Sequence, residues 1–223
     1  SVANSAAYGF PQRVDDLKLA VSLLGLRETY SLVLSCAVVD LLKKSKQFDY
    51  RVFWLESMCC AAAARIVAKA SGRRQLFGVF SAGLLHDLGR VALAQVASHS
   101  YARIDAYLPP DELLAAEEQL LGLTHTEAGY ELATHWNLPE EIAEPIRFHH
   151  KPALATKARE NVAIVGIASL MVRAMGTELE ENESIFAGHE ETLALLGLDE
   201  EFSEAMLNEF LERRADSFGG LVE

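Results

Sequence analysis

Cysteine is scarce. The 223-residue chain has three, Cys36, Cys59 and Cys60. Two are adjacent and the count is odd, which excludes a disulfide framework and points to a reducing cytoplasm. Basic residues are also few, 20 Lys and Arg against 32 Asp and Glu, for a net charge of −12. Binding to a nucleic-acid backbone needs basic patches, so nucleic acid is not an expected partner. The same deficit argues against docking on an anionic membrane. No uncharged apolar run reaches the roughly 18–20 residues of a membrane span. The opening residues SVANSAAYGF lack a basic region followed by an apolar one, so no signal peptide is expected. β-branched alternation is scarce as well, which argues against strands.

What the chain does have is apolar content, 50% hydrophobic against 23% charged, the balance of a globular protein with a sizeable core. Apolar residues recur at three and four, and nearly every long segment reads as helix. Helices are expected over 14–25, 28–43, 51–70, 74–88 (stopped by Gly89) and 90–107. Asp111 is expected to cap a helix to Leu121. Thr124-His125-Thr126-Glu127 is a capping-box sequence opening a helix over 125–136, ended by Asn137. Pro139 suits the first position of a helix over 139–150. Further helices are expected over 157–175 and, split at Gly197, over 187–216, with an acidic surface loop at 178–183. The fold class is all-α, an irregular multi-helix bundle around one core. Leu76–Leu85 and Val162–Val172 carry no charge, so both segments are expected to cross that core.

Polar residues in apolar surroundings are the candidates for function. His86-Asp87 follows the first apolar run directly. Near a helix C-terminus, Asp87 would be disfavoured by a few tenths to ~1 kcal/mol, and a metal, Arg90 or a protonated histidine would offset that. Alternatively, Asp87 simply orients His86 and the pair joins two helices. Glu56 heads a stripe of small residues, Cys59, Cys60, Ala63, Ala64 and Val67. There it is either buried with a partner or solvated at the rim. His125 shares a face with Gly129, Leu132 and Trp136, and Gly129 permits close helix contact. His149-His150 closes its helix, a position histidines favour for dipole reasons alone. His99, His135 and His189 read as surface. Together Glu56, His86, Asp87, His125, His149 and His150 form a nitrogen and oxygen donor set on four helices, suited to Fe, Mn or Zn. Their spacing lacks a tight local signature such as H-E-x-x-H.

Leu84-Leu85-His86-Asp87-Leu88-Gly89-Arg90 resembles the His-Asp doublet motif of the HD superfamily of metal-dependent phosphohydrolases. The flanking segments resemble one subgroup, the HDOD domain. They are Val2-Ala3-Asn4-Ser5-Ala6, Ala20-Val21-Ser22-Leu23-Leu24-Gly25, Phe53-Trp54-Leu55-Glu56-Ser57, His125-Thr126-Glu127-Ala128-Gly129, Trp136-Asn137-Leu138-Pro139 and Arg147-Phe148-His149-His150-Lys151-Pro152. The resemblance spans about residues 1–175. It implies an HD-type helical fold related to the HD-GYP cyclic-dinucleotide phosphodiesterases, and a regulatory or scaffolding role in bacterial signalling. It also implies an HDOD-like domain over residues 1–176 whose N-terminal part is missing. Residues 177–223 lie outside the resemblance and are expected to be an acidic helical extension packing on it.

The departures from the hydrolase pattern set the functional expectation. The resemblance puts a metal-binding histidine where Glu56 stands and a metal-binding aspartate where Ser169 stands. His86 and Asp87 match the doublet, and His125, His149 and His150 match the further ligands of the dinuclear branch. No Gly-Tyr-Pro element follows the paired histidines. Arg90 replaces a phosphate-contacting lysine, keeping the cation in another shape. Metal-assisted hydrolysis needs a near-complete ligand shell, and serine is a poor ligand. The chain is therefore expected to be a non-catalytic signalling module that binds a partner protein or a small phosphorylated ligand, with either no metal or a weakly held divalent one (Fe, Mn or Zn). The alternative is a metal-dependent phosphohydrolase acting on a nucleotide or cyclic dinucleotide.

Overall fold

The computed structural model describes residues 16–25, 29, 33, 48–175 and 184–218. These residues are helical, with no strand among them. In chain order the helices are α1 (Leu17–Leu24), α2 (Tyr50–Ala70), α3 (Val79–Leu85), α4 (Leu88–Val96), α5 (Ser98–Tyr101), α6 (Pro110–Leu121), α7 (His125–His135), α8 (Glu140–Phe148), α9 (Arg159–Arg173), α10 (Glu190–Leu196) and α11 (Glu200–Phe218), with a 3-10 turn at Pro152–Leu154. The Asn4-Ser5 segment, most of the helix expected over 28–43, Cys36 and the acidic stretch 178–183 lie outside the described residues. Among the described residues no helix is long and apolar enough to cross a membrane.

Two helices form the centre. α9 is buried from Asn161 to Ser169, and every residue of α3 is buried, as expected for the uncharged segments they contain. α2 packs on both through its small-residue stripe, with Cys59, Cys60, Ala63, Ala64 and Val67 fully buried. Phe186, Leu193, Leu196, Leu198, Met206, Leu207 and Phe210 belong to the same core cluster as α2 and α9. Arg73 ties that C-terminal segment down. Its guanidinium donates to the Leu195 and Leu196 carbonyls at the end of α10 and pairs with Glu160 at 2.6 Å.

Several boundaries differ from the sequence expectation. Residues 74–78 form turns, and the helix expected over 74–88 starts only at Val79 and ends at Leu85. The segment expected as one helix over 90–107 is α4, then the short α5, then turns. Pro109, not Asp111, occupies the N-cap of α6, and Pro139 caps α8 instead of opening it. Asn137 ends α7 as expected, at φ 54°, a left-handed conformation that asparagine tolerates.

Gly89 does not stop a helix; it lies inside α4. A Cβ there would fall 1.8 Å from the His125 carbonyl oxygen and 2.6 Å from the Gly129 nitrogen. The two glycines thus let the α4 and α7 backbones touch, and this contact brings Asp87 to His125.

Candidate functional site

Asp87 sits at the junction between α3 and α4. The sequence suggested a carboxylate at a helix C-terminus. It is instead the N-cap residue of α4, where a helix dipole favours an anion. Its Oδ2 accepts from Arg90 at 3.0 Å. Its Oδ1 lies 3.3 Å from His125 Nε2 and 3.5 Å from His149 Nε2.

Each imidazole is held from behind. The capping box at Thr124 and Glu127 makes His125 the first residue of α7. Glu117, fully buried on α6, accepts from both the His125 backbone N–H (2.8 Å) and Nδ1 (2.7 Å). His149 Nδ1 donates to the Pro145 carbonyl at 3.0 Å, and His86 Nδ1 donates to the Gly83 carbonyl at 2.8 Å. Carbonyls and carboxylates only accept, so all three Nδ1 atoms carry protons and Nε2 is the nitrogen left facing inward. The Nε2 atoms of His125 and His149 are buried without a hydrogen-bond partner. Buried polar atoms are rarely left so.

Pro145 inside α8 contributes indirectly. It has no N–H for the Glu141 carbonyl, and Asn161 Nδ2 on α9 donates to that carbonyl at 3.2 Å and to Phe77 O at 2.8 Å.

Donor atoms of Asp87, His125, His149 and His150 lie within 4.8 Å of one another and form a cluster that could hold a metal ion. His86 stands beside them, with its ring 5.0 Å from that of His149 and its Nε2 3.7 Å from Asp87 Oδ2. Glu56 does not join the cluster. It turns to Arg90 (3.7 Å) and to the Tyr107 hydroxyl (3.4 Å). Its position is the half-buried rim with a partner, between the two sequence readings. His99 and His135 are exposed, and His189 is half-buried away from the cluster.

The electrostatics follow the geometry. Burial pushes His86 down to about 4, which keeps it neutral. Burial and the adjacent His149 hold His150 well below the imidazole range. Burial works against charge on His125 too, but the Asp87 and Glu117 carboxylates beside it outweigh burial and raise it to about 9. Asp87 is raised by burial but lowered more by His86 and Arg90, ending well below the usual carboxylate range. Burial raises Glu56, with Arg90 opposing. Asp87 is thus fixed as an anion beside His86 and His150, which are held neutral, and His125, which is held toward its charged form, so the space between the Asp87 and Glu117 carboxylates favours a positive charge.

A cavity of about 440 Å³ opens over the cluster, lined by His86, Asp87, Arg90, His150, Ser169 and Arg173 among others. Arg90 Nε is buried and has no partner. Arg173 donates to the Leu108 carbonyl at 2.7 Å from the cavity rim. Sequence reasoning missed Glu117 and Arg173. A signal for Glu117 existed. Of the acids on α6, it alone falls four residues after buried Leu113, on the inward face.

The HDOD domain family model matches residues 1–152, which is more than half of the chain. The chain belongs to the HDOD domain family. A crystal structure of an HDOD domain protein of unknown function from Geobacter sulfurreducens is 25% identical, with a TM-score of 0.76, covering 100% of this chain and 79% of that one. A candidate signal transduction protein from Marinobacter aquaeolei VT8 is 25% identical with a TM-score of 0.74, covering 99% of this chain and 50% of that one. A candidate phosphohydrolase from Shewanella amazonensis SB2B shares the fold at 21% identity and a TM-score of 0.69, covering 95% of this chain and 78% of that one. An uncharacterized protein of Treponema pallidum (strain Nichols) is 28% identical over 184 residues. The match covers 79% of this chain, which spans only about a third (35%) of that relative.

Proposed function

We propose that this HDOD chain is a regulatory signalling module. Its pocket binds a phosphorylated small ligand beside one divalent cation and does not hydrolyse it. Asp87 Oδ1 and the Nε2 atoms of His125 and His149 would hold the cation, with His150 and His86 completing the nitrogen side. The donor set is borderline, so Zn, Fe or Mn suits it. When bound, such a cation neutralises and orients phosphoryl oxygens. Arg90 supplies a second, fixed positive charge through its guanidinium edge.

The observation that carries this reading is the one-sidedness of the donors. Imidazoles converge on Asp87 Oδ1. On the opposite side Glu56 is engaged by Arg90 and Tyr107, and Ser169 offers only a hydroxyl to the cavity. A second cation would find there only a carboxylate already paired with Arg90, and paired metals are what clamp both oxygens of a displaced phosphate. We further propose that residues 1–176 form the signalling domain. The acidic segment 177–223 would be an extension on it, offering a surface to a basic partner protein.

The test is incubation of the Mn(II)-loaded protein with cyclic dinucleotides and phosphorylated mononucleotides. The reading expects binding without turnover. Turnover that disappears in His86→Ala and Asp87→Ala would overturn it in favour of a phosphohydrolase.

A further inference from the structure

Glu117 on α6 is a carboxylate enclosed by the fold, away from solvent. Its side chain is 0% exposed. No Lys or Arg forms an ion pair with it among the described residues, and its ion-pair partner is His125 at 2.7 Å. Both His125 donors, the backbone N–H and Nδ1–H, converge on the same oxygen, Oε2. The Tyr101 hydroxyl lies 3.4 Å from the other oxygen. A buried, uncompensated carboxylate costs several kcal/mol unless something nearby carries positive charge. The His125 ring lies between Glu117 at 2.7 Å and Asp87 at 3.3 Å, and the two carboxylates favour positive charge at that ring. A divalent cation at His125 Nε2 would supply it.

We infer that Glu117 is the positioning residue of the cation site, acting through His125. It touches neither cation nor ligand. It fixes the ring so that Nε2 points at Asp87, locks the proton on Nδ1, and raises the electron-donating power of Nε2. Backing a metal-ligating imidazole with a carboxylate has this effect generally, and its loss typically costs 10–100-fold in metal affinity. The backbone N–H anchor adds a second constraint. It holds the first turn of α7 and the ring to one oxygen, so ring rotation would break a main-chain hydrogen bond as well. His149 and His86 rest on neutral carbonyls instead. His125 is thus the one ligand of the set whose strength the charge of Glu117 sets.

This inference rests on the cation-site reading above. The experiment measures Zn(II) affinity by chelator competition in the full chain for wild type, Glu117→Gln, Glu117→Ala and Glu112→Gln. Gln keeps an accepting oxygen for both His125 donors and removes only the charge. Glu112 removes a charge from the exposed face of the same helix. The inference expects Glu117→Gln to fold and bind Zn(II) about 10–100-fold more weakly, with Glu117→Ala weaker still and Glu112→Gln unchanged. In the Zn(II)-loaded protein the His125 Nδ1 proton resonance should lie far downfield and move upfield in Glu117→Gln, and lost affinity in a variant whose helical spectrum matches wild type is a change that a purely structural role would not produce. Unchanged affinity in Glu117→Gln, with metal-loaded wild type, overturns the inference alone. Failure of wild type to take up Zn(II) overturns the cation-site reading and this inference with it.

Discussion

Replacing Gly89 with alanine should dismantle the site without altering any polar side chain. The new methyl would lie 1.8 Å from the His125 carbonyl oxygen, 2.6 Å from the Gly129 nitrogen and 2.7 Å from the His125 carbonyl carbon. All three are backbone atoms of a packed helix, so no side chain can swing aside. Restoring ordinary contact requires α4 and α7 to part by roughly 1.5 Å. Overpacking of this kind costs 1–3 kcal/mol and sometimes more, and rigid backbone on both sides puts this case at about 3 kcal/mol. For a chain of this size that lowers Tm by roughly 6–12 °C. Asp87 lies two residues from Gly89, and its 3.3 Å separation from His125 Nε2 would open to about 5 Å, beyond ligand reach. The assay is denaturant unfolding alongside chelator competition for Zn(II). Gly122→Ala is the control. A Cβ there meets open space at φ 76°, so it reports backbone strain alone. A Gly89→Ala protein as stable as wild type and equally able to bind Zn(II) would refute the reasoning.

Further predictions follow from other buried groups. Glu144 accepts hydrogen bonds from Thr156, Lys157 and Ala158, which outweigh its burial and lower its pKa below 4.5. Its contribution is therefore present above pH 4.5 and lost as pH falls through the folded value. Glu144→Gln should cost about 2 kcal/mol at pH 7, and the gap to wild type should close in acid, as read by urea unfolding across pH. Asn161→Ala strands the Phe77 carbonyl and the Glu141 carbonyl that Pro145 cannot serve, so chemical denaturation should show a loss of about 1–3 kcal/mol. Arg90→Lys keeps the charge but not the fork that meets Asp87 while facing the cavity. Calorimetry with inorganic phosphate on the Mn(II)-loaded protein should show binding weakened about fivefold or more.

The fold was legible in the sequence because burial and periodicity coincide along these helices. α3 and α9 carry no charge where they cross the core, and the capping box at Thr124 placed His125 at the start of α7 to the residue. The boundaries that sequence misplaced have local causes. Residues 74–78 have helical composition but are drawn into turns, where Gly78 takes a positive φ at the head of α3. Gly89 looks like a helix stop because glycine usually is one, and only the facing helix shows that it is a contact point. His125, His149 and His150 lack a tight spacing signature and stood out mainly through the family resemblance, and Asp87 through its place after an apolar run. Glu56 shared their chemistry but is captured by Arg90 and Tyr107, and only the spatial arrangement of α2 against α4 reveals that. Glu117 was hidden because it lies eight residues from the histidine it supports, among three other acids on an outwardly polar helix.

The central claim is that this HDOD pocket holds a single divalent cation against Asp87. Anomalous diffraction from Zn(II)-loaded crystals tests it directly. The account predicts one peak roughly 2.0–2.2 Å from His125 Nε2, His149 Nε2 and an Asp87 oxygen, with nothing between Glu56 and Ser169. No peak in the cluster, or a second one on the Ser169 side, would contradict it.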